Sequence, residues 1–297
     1  MSTRIEYLTP ERLAQEAPIW IDPVGGFGDI LMLSTALKKA HETYGKKFHI
    51  SRRTNYTQFF IGHPAVAEIG NPPEDADIVC NDYWSRPDFN DINCKALSIV
   101  FKIFAINSGK DDNLYLAEQE LDDKTSRLLS NIPWGKKTVV ISFSSESPRK
   151  MMHPIKWHII VERLLAQQCF VVQVGGYGDI PIRGAYSLLG VTTPRQVCEV
   201  IKKADLVITP DNFIMHVAKL VEKPAICLFG PTEPERYGYN GHVCLQADKS
   251  KCQFVNDCLG PHVSENYSTQ CPLNENHCMN SFDENKIIDI AITLLNK

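Results

Sequence analysis

Apolar positions along the chain follow two alternating patterns. Short apolar runs read as strands: "PIWI" (18–21), "FHIS" (48–51) and "DIVC" (77–80), then "KTVVISF" (137–143), "CFVVQV" (169–174), "DLVIT" (205–209) and "AICLFG" (225–230). Between them the apolar spacing changes to threes and fours. Ile30, Leu33, Leu37, Ala40 and Tyr44 share one face of a helix that Gly45 stops. Further helices are predicted near 156–167, 194–203 and 213–221, with a last one over 283–296. Strand–helix alternation of this kind predicts parallel sheets with helices on both faces. The polar stretch "LSNIPWGKK" (129–137) is the candidate linker. The expected organisation is an N-terminal Rossmann-like domain over 1–134 and a C-terminal one over 135–297. Ligands of such sheets bind beyond the carboxyl ends of the strands, and a cleft between two such domains is the natural site.

Almost the same seven residues occur twice, "VGGFGDI" at 24–30 and "VGGYGDI" at 174–180. The first copy follows a strand and opens a helix. Gly25, Gly26 and Gly28 permit a tight turn there, and the helix N-terminus presents N–H groups to an anion. In the second copy Pro181 follows closely, which disfavours an immediate helix. The copies are therefore not a sequence repeat; each lets a strand end turn sharply beside a ligand. The familiar phosphate loops do not fit the first copy. Asp29 follows Gly28 where the Walker pattern needs lysine. The dinucleotide pattern has Gly26 and Gly28 but Leu31 in its third place, and Ser51-Arg52-Arg53 occupy the region of its acidic ribose ligand. An aspartate at the mouth of an anion-binding turn suits proton chemistry, and it equally suits helix capping; both readings of Asp29 stand.

Length, charge and composition narrow the class. The 297 residues suit two domains of ordinary size. A net charge of −4 gives no electrostatic reason to expect nucleic acid. Lys38, Lys39, Lys46, Lys47, Arg52 and Arg53 form a local basic group, read as a solvated face. No apolar run approaches the ~20 residues of a membrane span, and the N-terminus lacks the apolar core of a secretory signal, so a cytoplasmic protein is expected.

Four of the ten cysteines, Cys252, Cys258, Cys271 and Cys278, crowd into a polar, turn-rich segment spaced C-x5-C-x12-C-x6-C. Disulfides seldom persist in the cytosol, and a segment so poor in apolar residues needs another source of order. A tetrathiolate iron or zinc site supplies it. Four protein ligands leave no open position, so the expected role is structural and no catalytic metal is expected. His262 and His277 are reserve ligands; two disulfides or four thiols are the alternatives.

The second half carries a family resemblance. "RKMMHPIKWHIIVERLLAQQ" (149–168), "VVQVGG" (171–176) and "GVTTPRQVCEVIKKADLVITPDNFIMHVAKLVEKPAICLFGPTEP" (190–234), in that order, resemble glycosyltransferase family 9, the ADP-heptose heptosyltransferases of lipopolysaccharide assembly. "GGFGDILMLSTALKK" is similar to that family's N-terminal signature. The resemblance implies an α/β GT-B fold, with two Rossmann-like domains facing one cleft. It implies an acceptor at the N-terminal domain and a nucleotide-sugar donor, ADP-heptose, at the C-terminal one. By position it makes Asp29 the catalytic base of an inverting displacement. Arg149 and Lys156 become cations for the leaving diphosphate, and Gly175, Gly176 and Asp179 the nucleoside site. Asp211 becomes the cap of a diphosphate-binding helix, with His216 and Thr232 as further donor contacts. Trp157 reads as core. Asn212 and Phe213 stand where the family has serine and glycine, which favours a rival reading: a donor-binding or scaffold protein without turnover. The implied acceptor is lipopolysaccharide core, capsule or a surface adhesin, reached from the cytoplasm or the inner-membrane periphery. The branch that heptosylates adhesins carries a cysteine-rich metal site, which points to iron.

Overall fold

The computed structural model describes residues 3–52, 56–107, 112–255, 258–259, 267–273 and 275–297. Each apolar run becomes a strand of a parallel sheet, and the chain divides into two units, Met1–Glu120 and Leu121–Lys297.

The first unit carries β1 (Thr3–Ile5), α1 (Pro10–Leu13), β2 (Trp20–Asp22), α2 (Phe27–Tyr44), β3 (Phe48–Ser51), β4 (Val66–Gly70), β5 (Asp77–Cys80) and α3 (Ala96–Ile103). Its five-stranded sheet runs β1-β5-β2-β3-β4, all parallel. The chain leaves β2 towards β3 on one side and returns to β5 on the other, so the strand order reverses between β2 and β5. Such a switch point opens a crevice at the carboxyl ends of the strands. Helix α2 forms because its apolar stripe buries Ile30, Leu33 and Leu37 completely. Gly45 ends it in the left-handed conformation at φ 67°.

The second unit carries α4 (Asp123–Ser130), β6 (Thr138–Ile141), α5 (Pro154–Ala166), β7 (Phe170–Gln173), β8 (Tyr186–Ser187), α6 (Pro194–Lys203), β9 (Leu206–Pro210), α7 (Phe213–Leu220), β10 (Ala225–Phe229), α8 (Pro234–Tyr237), β11 (Val243–Gln246) and α9 (Glu284–Leu295). Its six-stranded sheet runs β11-β10-β9-β6-β7-β8, again all parallel. That is the doubly wound Rossmann order, with the switch point between β6 and β9. Strands β6, β9 and β10 are buried along their whole length. Trp157 of α5 is fully buried among Val139, Ile160 and Ile288, which places it in the core as expected.

Among the described residues no helix is long and apolar enough to cross a membrane.

Candidate active site

The two glycine turns share one local device. In the first, the Asp29 carboxylate accepts the backbone N–H of Gly26 through Oδ2 at 2.7 Å. In the second, Asp179 accepts the N–H of Gly176 through Oδ2, also at 2.7 Å. A Cβ at Gly25 would meet Asp29 Oδ2 at 2.4 Å, and one at Gly175 would meet Asp179 Oδ2 at 2.2 Å. Both turns therefore need glycine for close approach of a carboxylate, and Gly25 also needs it for its φ of 94°. The difference lies downstream. Gly26 is the N-cap of α2 and Asp29 its third helical residue, in a capping-box arrangement. No helix follows Asp179 directly.

Asp29 is half-buried at the switch point of the first sheet. Its second oxygen, Oδ1, accepts the hydroxyl of Tyr83 at 3.0 Å. Tyr83 follows β5 across the switch point, where Asn81 ties the two strand ends together: its side chain accepts from Val24 N at 2.8 Å and donates to Val24 O at 2.9 Å. The carboxylate thus caps a helix with one oxygen and meets a buried phenol with the other. Nothing in the sequence flagged Tyr83. The only available signal was its position just after a strand, one of the two bordering the crevice.

In the second unit, the loops after β6, β9 and β10 converge. Lys150 Nζ donates to Asp211 Oδ2 at 2.8 Å, and Thr232 Oγ1 donates to the same oxygen at 2.8 Å. All three side chains are buried. Burial pushes the Asp211 pKa up, but the charge of Lys150 and the hydrogen bonds from Lys150 and Thr232 outweigh it and hold the carboxyl below its ordinary range. His216, on α7, is also buried. Burial dominates there and lowers its pKa to about 4 against the opposing pull of Asp211, with Lys150 and His242 lowering it further. The imidazole is neutral at pH 7, and its Nδ1 lies 2.6 Å from the Tyr239 hydroxyl.

Asp211 does not cap α7, contrary to expectation; Asn212 does. Its Oδ1 accepts from Ile214 N at 2.9 Å, and its amide donates to Ser142 Oγ at 3.1 Å and Ser144 O at 2.8 Å. The asparagine that departs from the family pattern thus bridges the ends of β6 and β9. Ser144 in turn donates to Asp179 Oδ2 at 2.5 Å. Asp179, Asn212, Asp211 and Thr232 therefore line one continuous edge at the carboxyl ends of the second sheet.

Arg149 and Lys156 turn elsewhere. Lys156, inside α5, bonds Phe282 O at 2.7 Å and Glu284 at 2.8 Å. Arg149 enters the cysteine segment, reaching Cys258 Sγ at 3.3 Å, Thr269 Oγ1 at 2.6 Å and Thr269 O at 3.3 Å. The cation at Asp211 is Lys150, which sequence reasoning passed over.

The basic group of the first unit is not a single solvated face. Lys46 is buried and donates to the carbonyls of Gln15 and Ala17; burial, then Arg12, lowers its pKa. Lys38 pairs with Glu42, and Arg53 lies outside the described residues.

All ten cysteines are thiols. Burial pushes Cys278 up to about 11, and the charges of Cys258, Cys252 and Cys271 act on it in the same direction. Cys278 thus lies within electrostatic reach of the other three thiols. Among the described residues, however, no three or more His, Cys, Asp or Glu side chains are arranged to hold a metal ion. His262 lies outside them.

Comparison with known proteins follows the same lines. The family model of glycosyltransferase family 9 (heptosyltransferase) matches residues 101–262. No curated protein matches the sequence. Among solved structures, the iron-containing dodecameric glycosyltransferase TibC from enterotoxigenic E. coli superposes with a TM-score of 0.72 at 13% identity, over 95% of this chain and 76% of that one. ADP-heptose lipopolysaccharide heptosyltransferase II of E. coli gives 0.64 at 13% identity, over 94% and 98%. A family 9 glycosyltransferase from Veillonella parvula gives 0.66 at 12% identity, over 94% and 97%. The two parallel-sheet α/β units are those of the GT-B heptosyltransferase structures.

Proposed function

The chain belongs to glycosyltransferase family 9 and is a glycosyltransferase; from that premise we propose that it transfers heptose, or a closely related sugar, from ADP-heptose to a bacterial surface acceptor with inversion. The observation that carries this reading is Asp29, held at the switch point of the first sheet with its Oδ1 on Tyr83. The acceptor hydroxyl gives its proton to the Asp29 carboxylate as its oxygen attacks the anomeric carbon. The bond from that carbon to the diphosphate oxygen breaks, and ADP leaves with the electron pair. Attack from the face opposite the leaving group inverts the anomeric centre.

The departing diphosphate needs preorganised positive charge and hydrogen-bond donors. In this reading Lys150 supplies the charge, and Asp211, which accepts from both Lys150 and Thr232, holds it in place. Lys150 thus takes the role that the sequence alone assigned to Lys156. Neutral His216 is buried within electrostatic reach of Asp211 and Lys150. Asp179 accepts from the ribose hydroxyls, with Gly175 and Gly176 letting the nucleoside approach the backbone.

A solved relative of this fold contains iron. In our reading Cys252, Cys258, Cys271 and Cys278 would hold a structural iron or zinc, which when bound orders the segment and takes no part in the displacement. The protein works in the cytoplasm, and its acceptor is a lipopolysaccharide core, a capsule glycan or an adhesin.

The test is transfer and donor hydrolysis measured across a set of ADP- and GDP-sugars. Turnover of ADP-heptose above the others supports the reading. Tight ADP binding with no turnover of any donor supports the scaffold alternative that Asn212 and Phe213 raise.

A further inference from the structure

The cysteine-rich segment grips one short turn of the second unit. That turn, Pro148–Lys150, is a single 3₁₀ turn between β6 and α5 that carries Arg149 and Lys150. Two peptide carbonyls flank the pair, those of Pro148 and Met151. The side-chain amide of Asn276 donates to both, at 2.8 Å each. Only an NH₂ group can serve two acceptors in this way, so the geometry fixes which end of the amide faces the turn. Asn276 itself has φ 45°, a left-handed conformation that asparagine tolerates better than most residues.

Three further contacts converge on the same turn. Arg149 runs back into the segment at Cys258 and Thr269. The Tyr267 ring lies 5.4 Å from Lys150 Nζ, within cation–π range. Just beyond the turn, His153 N donates to Asn280 Oδ1 at 2.7 Å. Lys150 is thus held from behind by its neighbours' contacts with the segment and aimed forward at Asp211, 2.8 Å away.

We propose that the cysteine-rich segment positions the donor-binding lysine, with Asn276 as the positioning residue that clamps the backbone on either side of Arg149-Lys150. The inference rests on the reading of Lys150 as the cation for the donor diphosphate. It gives the cysteine segment a task in donor recognition that stability alone does not require.

The experiment is calorimetric ADP binding to the full chain for wild type, Asn276→Asp, Lys150→Gln and the double variant. Asn276→Asp keeps the shape and the left-handed backbone but turns two donors into acceptors facing carbonyls. Lys150→Gln keeps a donor for Asp211 and removes the charge. Each single variant is expected to weaken ADP roughly tenfold or more, the scale of one lost charge-assisted contact. The double variant is expected to bind no worse than Lys150→Gln alone, because without the cation its positioning has nothing to act on. In turnover, Asn276→Asp should raise the donor KM and leave the acceptor KM unchanged. Wild-type ADP affinity in Asn276→Asp alongside a weakened Lys150→Gln overturns the inference and leaves the site reading intact. Independent, multiplying losses in the double variant also overturn it. Undiminished ADP affinity in Lys150→Gln overturns the site reading itself, and the inference with it. If Asn276→Asp does not fold, Asn276→Gly, which keeps the backbone conformation and removes the amide, takes its place in the same comparison.

Discussion

The hydroxyl of Tyr83 donates to Asp29 Oδ1 at 3.0 Å, across the point where the strand order of the first sheet reverses. The backbone N–H of Gly26 holds the other oxygen at 2.7 Å. A carboxylate held at both oxygens has one orientation.

Removing the phenol should therefore be visible in turnover. In Tyr83→Phe the carboxylate loses the donor that holds its Oδ1. kcat/KM should fall about tenfold, in keeping with one lost hydrogen bond to a charged group, while ADP affinity stays the same. The measurement is kcat/KM and ADP binding for both proteins. Equal kcat/KM in the two would reduce Tyr83 to a packing residue.

The buried pair of Lys150 and Asp211 should show in stability. Lys150→Met strands a buried carboxylate and should cost about 3–5 kcal/mol in urea unfolding, the usual penalty for breaking one half of such a pair. Lys150→Gln should cost less, because it still donates to Asp211. Equal stability of all three proteins would mean that Asp211 finds another partner.

How much of this was legible in the chain depends on how local each feature is. The strands at 48–51 and 77–80 and the helix at 194–203 were readable to the residue, because their apolar spacing and flanking breakers are local signals. Strands β4, β8 and β11 were missed. They lie away from the central strands of their sheets, and their half-exposed or exposed residues give no clear apolar run. Helix α3 was missed because its apolar positions are nearly continuous. The two glycine turns were readable because glycine, glycine and aspartate at fixed spacing close a ring within six residues. The partners of those aspartates were not: Tyr83 is 54 residues from Asp29, and only the sheet topology brings them together. Lys150 and Lys156 illustrate a signal left unused. Pro154 marks the first turn of α5. A lysine before it lies in the loop at the carboxyl ends of the strands, whereas one after it lies on the helix. Asn212, which stands where the family has serine, caps α7 as serine would, and its amide adds a tie to the loop after β6 that serine cannot make.

Acid should weaken the second unit through His216. Unfolded, its imidazole takes up a proton near pH ~6.5; folded, it does so only at about 4. Between those values the unfolded state binds more protons, so stability falls as pH drops through that window, by ~3 kcal/mol in all. Asp211, held below its ordinary carboxylate range, loses its contribution only at lower pH still. Urea unfolding at pH 7 and pH 4.5 should show the loss in wild type and a flatter dependence in His216→Gln. The same slope in both proteins would assign it to other groups.

The cysteine segment should carry metal. Protein purified without a metal-affinity tag should contain about one equivalent of iron or zinc per chain, and a chelator strong enough to remove it should loosen the segment. Less than about a tenth of an equivalent, with all four thiols of the folded protein reacting freely, would reject the site.

The central claim is that Asp29 is the base of a glycosyl transfer from an ADP-sugar. The most direct measurement is ADP release from ADP-heptose, with a bacterial core oligosaccharide or adhesin as acceptor, by wild type and Asp29→Asn. The asparagine can still accept the Gly26 N–H, so the turn is kept while the base is removed. The account predicts turnover in wild type, a loss of about 10²-fold or more in the variant, and the same ADP affinity in both. Near-normal turnover in Asp29→Asn would contradict it and leave Asp29 as the cap of α2.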